Sequence, residues 1–175
     1  PLRIAAMVRP STPRRQPQFT VEVLREFSRR RDVEIIFFGC DPGDPDFQRW
    51  AHGFRWRHAE VLTRPQLARL FSDVDIFLDA STFQAMGLTA MEAMACGAAV
   101  IVPQAGGAES FAVHERNALV VDTTSQSAVL QALERLSTDH ALRKRIRQQA
   151  IADICAYTPE QAAYRLLEAL WGDAA

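Results

Sequence analysis

No run of apolar residues in this 175-residue chain approaches the ~20 needed to cross a bilayer, and no signal-peptide pattern opens it. Cysteine is scarce. Cys40, Cys96 and Cys155 stand far apart, odd in number and without a CxxC pair, which argues against a disulfide framework and against a zinc site. That usage fits a reducing, cytoplasmic setting. His52, His58, His114 and His140 show no metal-ligand spacing with each other or with the cysteines, so no metal is expected. Net charge is nearly absent too: 20 basic residues against 21 acidic ones leave -1, with no global field to draw the chain onto nucleic acid. Any anion site must be local. Internal repeats and low-complexity linkers are missing as well.

What is present is an ordinary globular composition, 48% hydrophobic and 23% charged. One domain of this length buries roughly 70% of its unfolded surface without staples. The chain opens on Pro1 and enters the apolar stretch Ile4 to Val8 after only Leu2 and Arg3. A piece of something longer is therefore expected.

Strand-length apolar runs alternate with helical segments, the pattern of an α/β domain with a parallel sheet. Strands are expected at Ile4 to Val8, Val33 to Phe38, more weakly Trp56 to Leu62, then Asp75 to Leu78, Ala99 to Val102 and Leu119 to Val121. Between the first two, Phe19, Val23, Leu24 and Phe27 recur at helical spacing. Short helices are expected over Pro65 to Phe71 and Met91 to Cys96, the latter stopped by Gly97. Three helices follow the last strand, marked by Ala128 to Leu136, by Leu142, Ile146 and Ala150, and by Thr158-Pro159-Glu160-Gln161. The expected fold is a doubly wound, Rossmann-like parallel sheet of about six strands, helices on both faces, with C-terminal helices.

Ligands of such sheets sit at the carboxyl ends of the strands near the switch point, so three loops matter: Arg9 to Arg15, Asp79 to Thr89 and Pro103 to Glu109. The first contains no glycine, which excludes a GxGxxG fingerprint and a Walker A loop where either would have to lie. It offers instead three guanidiniums on a segment stiffened by Pro10 and Pro13. Arginine forks match phosphate oxygens, so phosphate capture stands beside the plainer reading of a solvated basic loop. In the second loop Gly87 precedes a helix start, where N–H groups and the dipole favour an anion. Glu92 has two readings. It either completes a capping box with Thr89 or points at hydroxyls of a ligand resting on that helix end. The runs Arg29 to Arg31 and Arg143 to Arg147 read as solvated helix faces, the second also able to lie against an anionic bilayer.

The stretch Asp75 to Asp122 resembles the donor-binding segment of the retaining GT-B glycosyltransferases of the GT4 type, the glycosyl transferases group 1. Ala80-Ser81, Gln84, Met86-Gly87-Leu88 and Glu92-Ala-Met-Ala-Cys-Gly97 carry the resemblance, with Gly106-Gly107, Glu109 and His114 to Val121 following at the family's distances. Arg9 and Arg14 fall at the spacing of the family's arginine and lysine. The resemblance implies that Arg9 and Arg14 hold the diphosphate of a nucleotide-sugar, that Gly87, Leu88 and Thr89 give it backbone N–H groups, and that Glu92 binds the ribose. Gln84 stands where the family has a glutamate that meets the transferred sugar. Glutamine keeps hydrogen-bonding capacity and loses the charge.

By that resemblance residues 1–175 form a single donor-binding domain, the C-terminal half of a two-domain enzyme. The whole protein would transfer a hexosyl or deoxyhexosyl group to a glycan or lipid-linked acceptor without metal, with peripheral membrane association through the full-length protein and no nucleic acid partner. The isolated domain would bind a nucleoside diphosphate and transfer nothing, because the acceptor half is missing. Its final helix would lead toward that half, leaving apolar residues exposed. A degenerate member serving assembly is the alternative, with Gln84 as its mark. An epimerase on the same architecture would need acid and base residues that the sequence does not display.

Overall fold

The computed structural model describes residues 1–171. Six parallel strands form one sheet in the order β3-β2-β1-β4-β5-β6, where β1 is Leu2–Met7, β2 Val33–Phe38, β3 Arg57–His58, β4 Ile76–Leu78, β5 Ala99–Pro103 and β6 Leu119–Val121. The order reverses at β1, which pairs with β2 on one side and β4 on the other. This is the switch point where a doubly wound sheet opens a crevice.

The helices are α1 Pro17–Arg30, α2 Pro45–Trp50, α3 Arg64–Asp73, α4 Leu88–Ala95, α5 Gln126–Thr138, α6 His140–Ile154 and α7 Pro159–Trp171. They divide between two faces because successive strand residues point to opposite sides. Ile4, Ala6, Ile35, Phe37, Ile76, Leu78 and Ile101 pack with α1, α2 and α5 on one face. Ala5, Ile36, Phe38, Phe77, Val100 and Val102 pack with α3 and α4 on the other. Helix α6 reaches both, giving Leu142 and Ile146 to the first core and Ala150 and Ile154 to the second. Both faces are dry, so the strands are continuously apolar.

Two expectations change. The strand over Trp56 to Leu62 shrinks to Arg57–His58 at the sheet edge. Trp56 instead packs edge-on against Phe47, with centroids 5.1 Å apart, and Glu60 turns the chain with φ 56°. Helix α2 was not anticipated. Its signal is Asp44, whose Oδ1 accepts from the N–H groups of Asp46 and Phe47, with Pro45 opening the helix. Helix α7 buries none of its residues, and Tyr164, Leu166, Leu167, Leu170 and Trp171 are all exposed, as expected of this segment.

Phe37 is fully buried, with Phe47 and Phe54 edge-on at 5.7 and 6.2 Å. Phe37→Ala is expected to destabilise the chain by about 3–5 kcal/mol, measured by urea unfolding.

Candidate functional site

The parallel sheet brings the loops after β1, β4, β5 and β6 to one edge, and a buried polar network binds them together. Asp79 follows β4 and is only 5% exposed. Its Oδ1 accepts from the Ser81 N–H at 3.1 Å, an Asx turn, and from the Ser81 hydroxyl at 2.5 Å. Its Oδ2 accepts from Gln84 Nε2 at 2.7 Å. The second N–H of the same amide donates to Ser81 Oγ at 2.8 Å, and Arg14 Nη1 donates to Gln84 Oε1 at 3.0 Å.

The neighbouring loops are tied to the same centre. Gln16, in the left-handed region with φ 47°, donates through Nε2 to the carbonyls of Ala80 and Thr123 at 2.7 and 2.9 Å. The Thr123 hydroxyl donates to Ser81 O at 2.5 Å. Thr82 N–H donates to Arg14 O at 2.8 Å, and Gly107 N–H donates to Gln84 O at 2.7 Å. The last contact is close enough to require glycine. A Cβ on Gly107 would meet Ala85 O at 1.9 Å, and one on Gly106, whose φ is 87°, would meet Gln84 O at 2.2 Å.

Helix α4 starts on Gly87, which serves as N-cap in the left-handed conformation with φ 88°. The expected Thr89-to-Glu92 capping box is therefore corrected. Helical geometry begins one residue before Thr89, no side chain caps the start, and Glu92 lies beyond the first turn. Glu92 is exposed, and its carboxylate takes no hydrogen bond or ion pair from the described residues. The N–H groups of Gly87, Leu88 and Thr89 likewise meet no acceptor among the described residues. An uncapped helix start carries a partial positive charge toward the same sheet edge.

Arg9, Arg14 and Arg15 add full charges there. None has a carboxylate within 4.0 Å among the described residues, although Arg14 also lies over the Phe83 ring, 6.0 Å from its centroid. Arg15 is half-buried. Burial pulls it below the usual arginine range, Asp79 opposes that shift, and repulsion from Arg14 and Arg9 adds to it. Arg9 and Arg14 both lie within electrostatic reach of Arg15, a local surplus in a chain of formal charge -1.

A second pairing of chemically active groups, Cys40 Sγ at 3.7 Å from His58 Nε2, is not a nucleophile. Burial, with Asp44 and Asp41, pushes the thiol up to about 11, and burial lowers His58. Thiolate and imidazolium are both disfavoured at neutral pH. No cluster of three metal-ligating side chains occurs among the described residues, and none of the described helices is long and apolar enough to cross a membrane.

A model of the glycosyl transferases group 1 family matches residues 3–153. The chain belongs to the glycosyl transferases group 1. The D-inositol 3-phosphate glycosyltransferase of Paenarthrobacter aurescens (strain TC1) is 30% identical over 137 residues, covering 73% of this chain and 34% of that protein. Among solved structures, Anabaena Alr3699/HepE in complex with UDP and glucose superimposes with a TM-score of 0.76 at 19% identity, over 93% of this chain and 47% of that one. The C-terminal domain of the group 1 protein LpcC from Francisella tularensis gives a TM-score of 0.73 at 23% identity, over 89% of this chain and 85% of that one. These likenesses establish a GT-B type fold. The chain spans about a third of the length of the curated relatives it matches.

All seven expected site residues of this group 1 chain thus lie on the strand-carboxyl edge or on α4, which opens from it. Arg9, Arg14, Gly87, Leu88, Thr89 and Glu92 leave donors or acceptors open, whereas Gln84 is 5% exposed with its amide engaged on all sides. Sequence reasoning gave no role to Asp79, Ser81, Gln16 or Thr123. The Asp-x-Ser spacing after a strand is an Asx-turn signal that would have marked the first two. Glu92→Ala is expected to change unfolding free energy by less than about 0.5 kcal/mol, against the roughly 0.5–2 kcal/mol of a lost cap. Gly107→Ala is expected to cost about 1–3 kcal/mol through overpacking, read by the same urea unfolding.

Proposed function

We propose that the chain is the nucleotide-sugar-binding half, C-terminal in its parent protein, of a retaining, metal-independent glycosyltransferase that acts on a glycan or lipid-linked acceptor. The observation that carries this is the pairing of three arginines lacking carboxylate partners with the uncapped start of α4 on one sheet edge. A leaving nucleoside diphosphate needs its developing charge neutralised. Fixed guanidiniums and a helix N-terminus supply that neutralisation without a metal.

In this reading Arg9 and Arg14 hold the diphosphate, with N–H donors from Gly87, Leu88 and Thr89. Glu92, exposed and unpaired on α4, accepts from the ribose hydroxyls. The UDP and glucose in the Anabaena neighbour support a nucleotide-sugar as ligand class. The exposed apolar face of α7 fits a segment that continues toward an acceptor half, which would also bring the acceptor and any membrane attachment. The isolated chain binds donor nucleotide and transfers a hexosyl or deoxyhexosyl group only as part of the whole cytoplasmic enzyme.

Calorimetric titration with UDP, GDP, ADP and dTDP is expected to show binding of at least one. No binding by any at millimolar concentration, with the chain folded, would overturn the reading. Arg9→Ala and Arg14→Ala should each weaken the bound nucleotide by roughly 10- to 100-fold, the scale of a charged hydrogen bond. Glu92→Ala should weaken the nucleoside diphosphate and leave inorganic pyrophosphate, which has no ribose, unaffected.

A further inference from the structure

The family pattern has a glutamate where this chain has Gln84, and the surroundings of that amide give the exchange a physical cause. Gln84 does not reach outward. Its Nε2 donates one hydrogen to Asp79 Oδ2 at 2.7 Å and the other to Ser81 Oγ at 2.8 Å, and its Oε1 accepts from Arg14 at 3.0 Å. The reverse amide orientation would set the carbonyl oxygen against a carboxylate and the NH2 group against a guanidinium. Both contacts are repulsive, so chemistry fixes the orientation. A glutamate at this position would place a second carboxylate against Asp79 in a site that is 5% exposed, so that two like charges face each other or a proton must be taken up to bridge them, and either costs stability.

We propose that Asp79 and Gln84 act as one positioning unit for Arg14, in which the buried carboxylate occupies both sides of the amide's donor end, directly and through Ser81, and leaves only the neutral carbonyl oxygen for Arg14. This rests on the reading of Arg14 as a diphosphate ligand. Asp79 supplies the network's negative charge through the Gln84 amide rather than in contact with Arg14. Arg14 is held in place by a neutral acceptor, so its charge stays available to a phosphate. A carboxylate at position 84 would hold the same guanidinium by an ion pair and compete with the anion. Gln84 is then neither a sugar contact nor a mark of decay. It is a positioning residue, and its identity is dictated by Asp79.

The inference predicts that the two residues exchange only as a pair. In Asp79→Asn/Gln84→Glu four of the network's five bonds can still be made: the new asparagine donates to the new glutamate, its oxygen still accepts from the Ser81 N–H, the Ser81 hydroxyl turns its one hydrogen from position 79 to the glutamate, and Arg14 donates to the glutamate as an ion pair. Packing is kept, and the charge moves into contact with Arg14. The experiment measures urea unfolding and pyrophosphate affinity by calorimetry for the parent chain, Asp79→Asn, Gln84→Glu, the double variant and Arg14→Ala.

Gln84→Glu at pH 7.5 is expected to lower the folding equilibrium constant at least 10-fold, and the double variant to restore it to within about threefold of the parent. The double variant, although folded and stable, should bind pyrophosphate at least fivefold more weakly than the parent, approaching Arg14→Ala. A role in packing alone would restore affinity together with stability, and that result overturns the proposal. So does a Gln84→Glu chain as stable as the parent. A parent chain that binds neither pyrophosphate nor any of the four nucleotides overturns the donor-site reading and this inference with it. A parent that binds, beside a double variant that binds equally well, overturns this inference alone.

Discussion

The strand-carboxyl edge depends on one buried carboxylate. Asp79 sits at the end of a central strand, 5% exposed, where an unmatched charge would cost several kcal/mol. Every partner it recruits belongs to the chain itself: the Ser81 N–H, the Ser81 hydroxyl and the Gln84 amide. Satisfying Asp79 fixes Gln84, and a fixed Gln84 backbone receives Gly107 while its side chain receives Arg14. Gln16 and Thr123 close the remaining gap between the loops after β1 and β6. No buried side-chain polar atom among the described residues lacks a partner. A fully satisfied polar network of this kind admits one arrangement, because breaking any member leaves a desolvated group behind.

The sheet was legible in the sequence because buried parallel strands need continuous apolar runs, and Val33–Phe38 and Leu119–Val121 have the same bounds in both readings. What failed to read clearly lies at the sheet edge and in short helices. Arg57–His58 pairs on one side only, so its residues carry no run, and the aromatic side chains that made Trp56 look strand-like are filling space beside Phe47 and Phe37. Helix α2, six residues long, shows no periodicity and is signalled by Asp44 and Pro45 alone. The capping-box reading of Thr89 and Glu92 used a pattern that is correct in spacing and wrong in register. Gly87 can adopt a positive φ without strain, so it takes the cap position and shifts Glu92 out of the first turn.

The site residues divide in the same way. Arg9, Arg14 and Glu92 could be nominated from spacing because charged groups beside a strand end or a glycine-led helix stand out in a sequence; Arg9 and Glu92 are exposed and Arg14 is half-buried. The network beneath them was not. Asp79, Ser81 and Thr123 look like ordinary loop residues until three-dimensional proximity joins positions more than forty apart, as in the bond from Thr123 to Ser81. Gln16 adds a case in which the backbone decides. Its left-handed conformation ends the short turn Pro13–Arg15 and aims its amide at two carbonyls, a geometry that no local pattern announces for glutamine.

Charge shows why such a site can hide in a neutral chain. Arg3, Arg29, Arg30, Arg31, Arg49, Arg57, Arg116, Arg135 and Arg147 each have a carboxylate within 4.0 Å, so nearly half of the formal positive charge is matched locally. Arg9, Arg14 and Arg15 are not so matched, and the first two repel the third. The nearest buried carboxylate, Asp79, is committed to Ser81 and Gln84 and acts on Arg15 only through space. Two requirements that conflict in most folds are thereby met together. The loop is held by hydrogen bonds to neutral groups, Gln84 Oε1 for the Arg14 guanidinium and the Thr82 N–H for its carbonyl, while its charges stay unneutralised. A carboxylate in place of Gln84 Oε1 would pair with the guanidinium and leave the edge less able to attract an anion, so a neutral acceptor is the arrangement expected where attraction of a phosphate is the constraint.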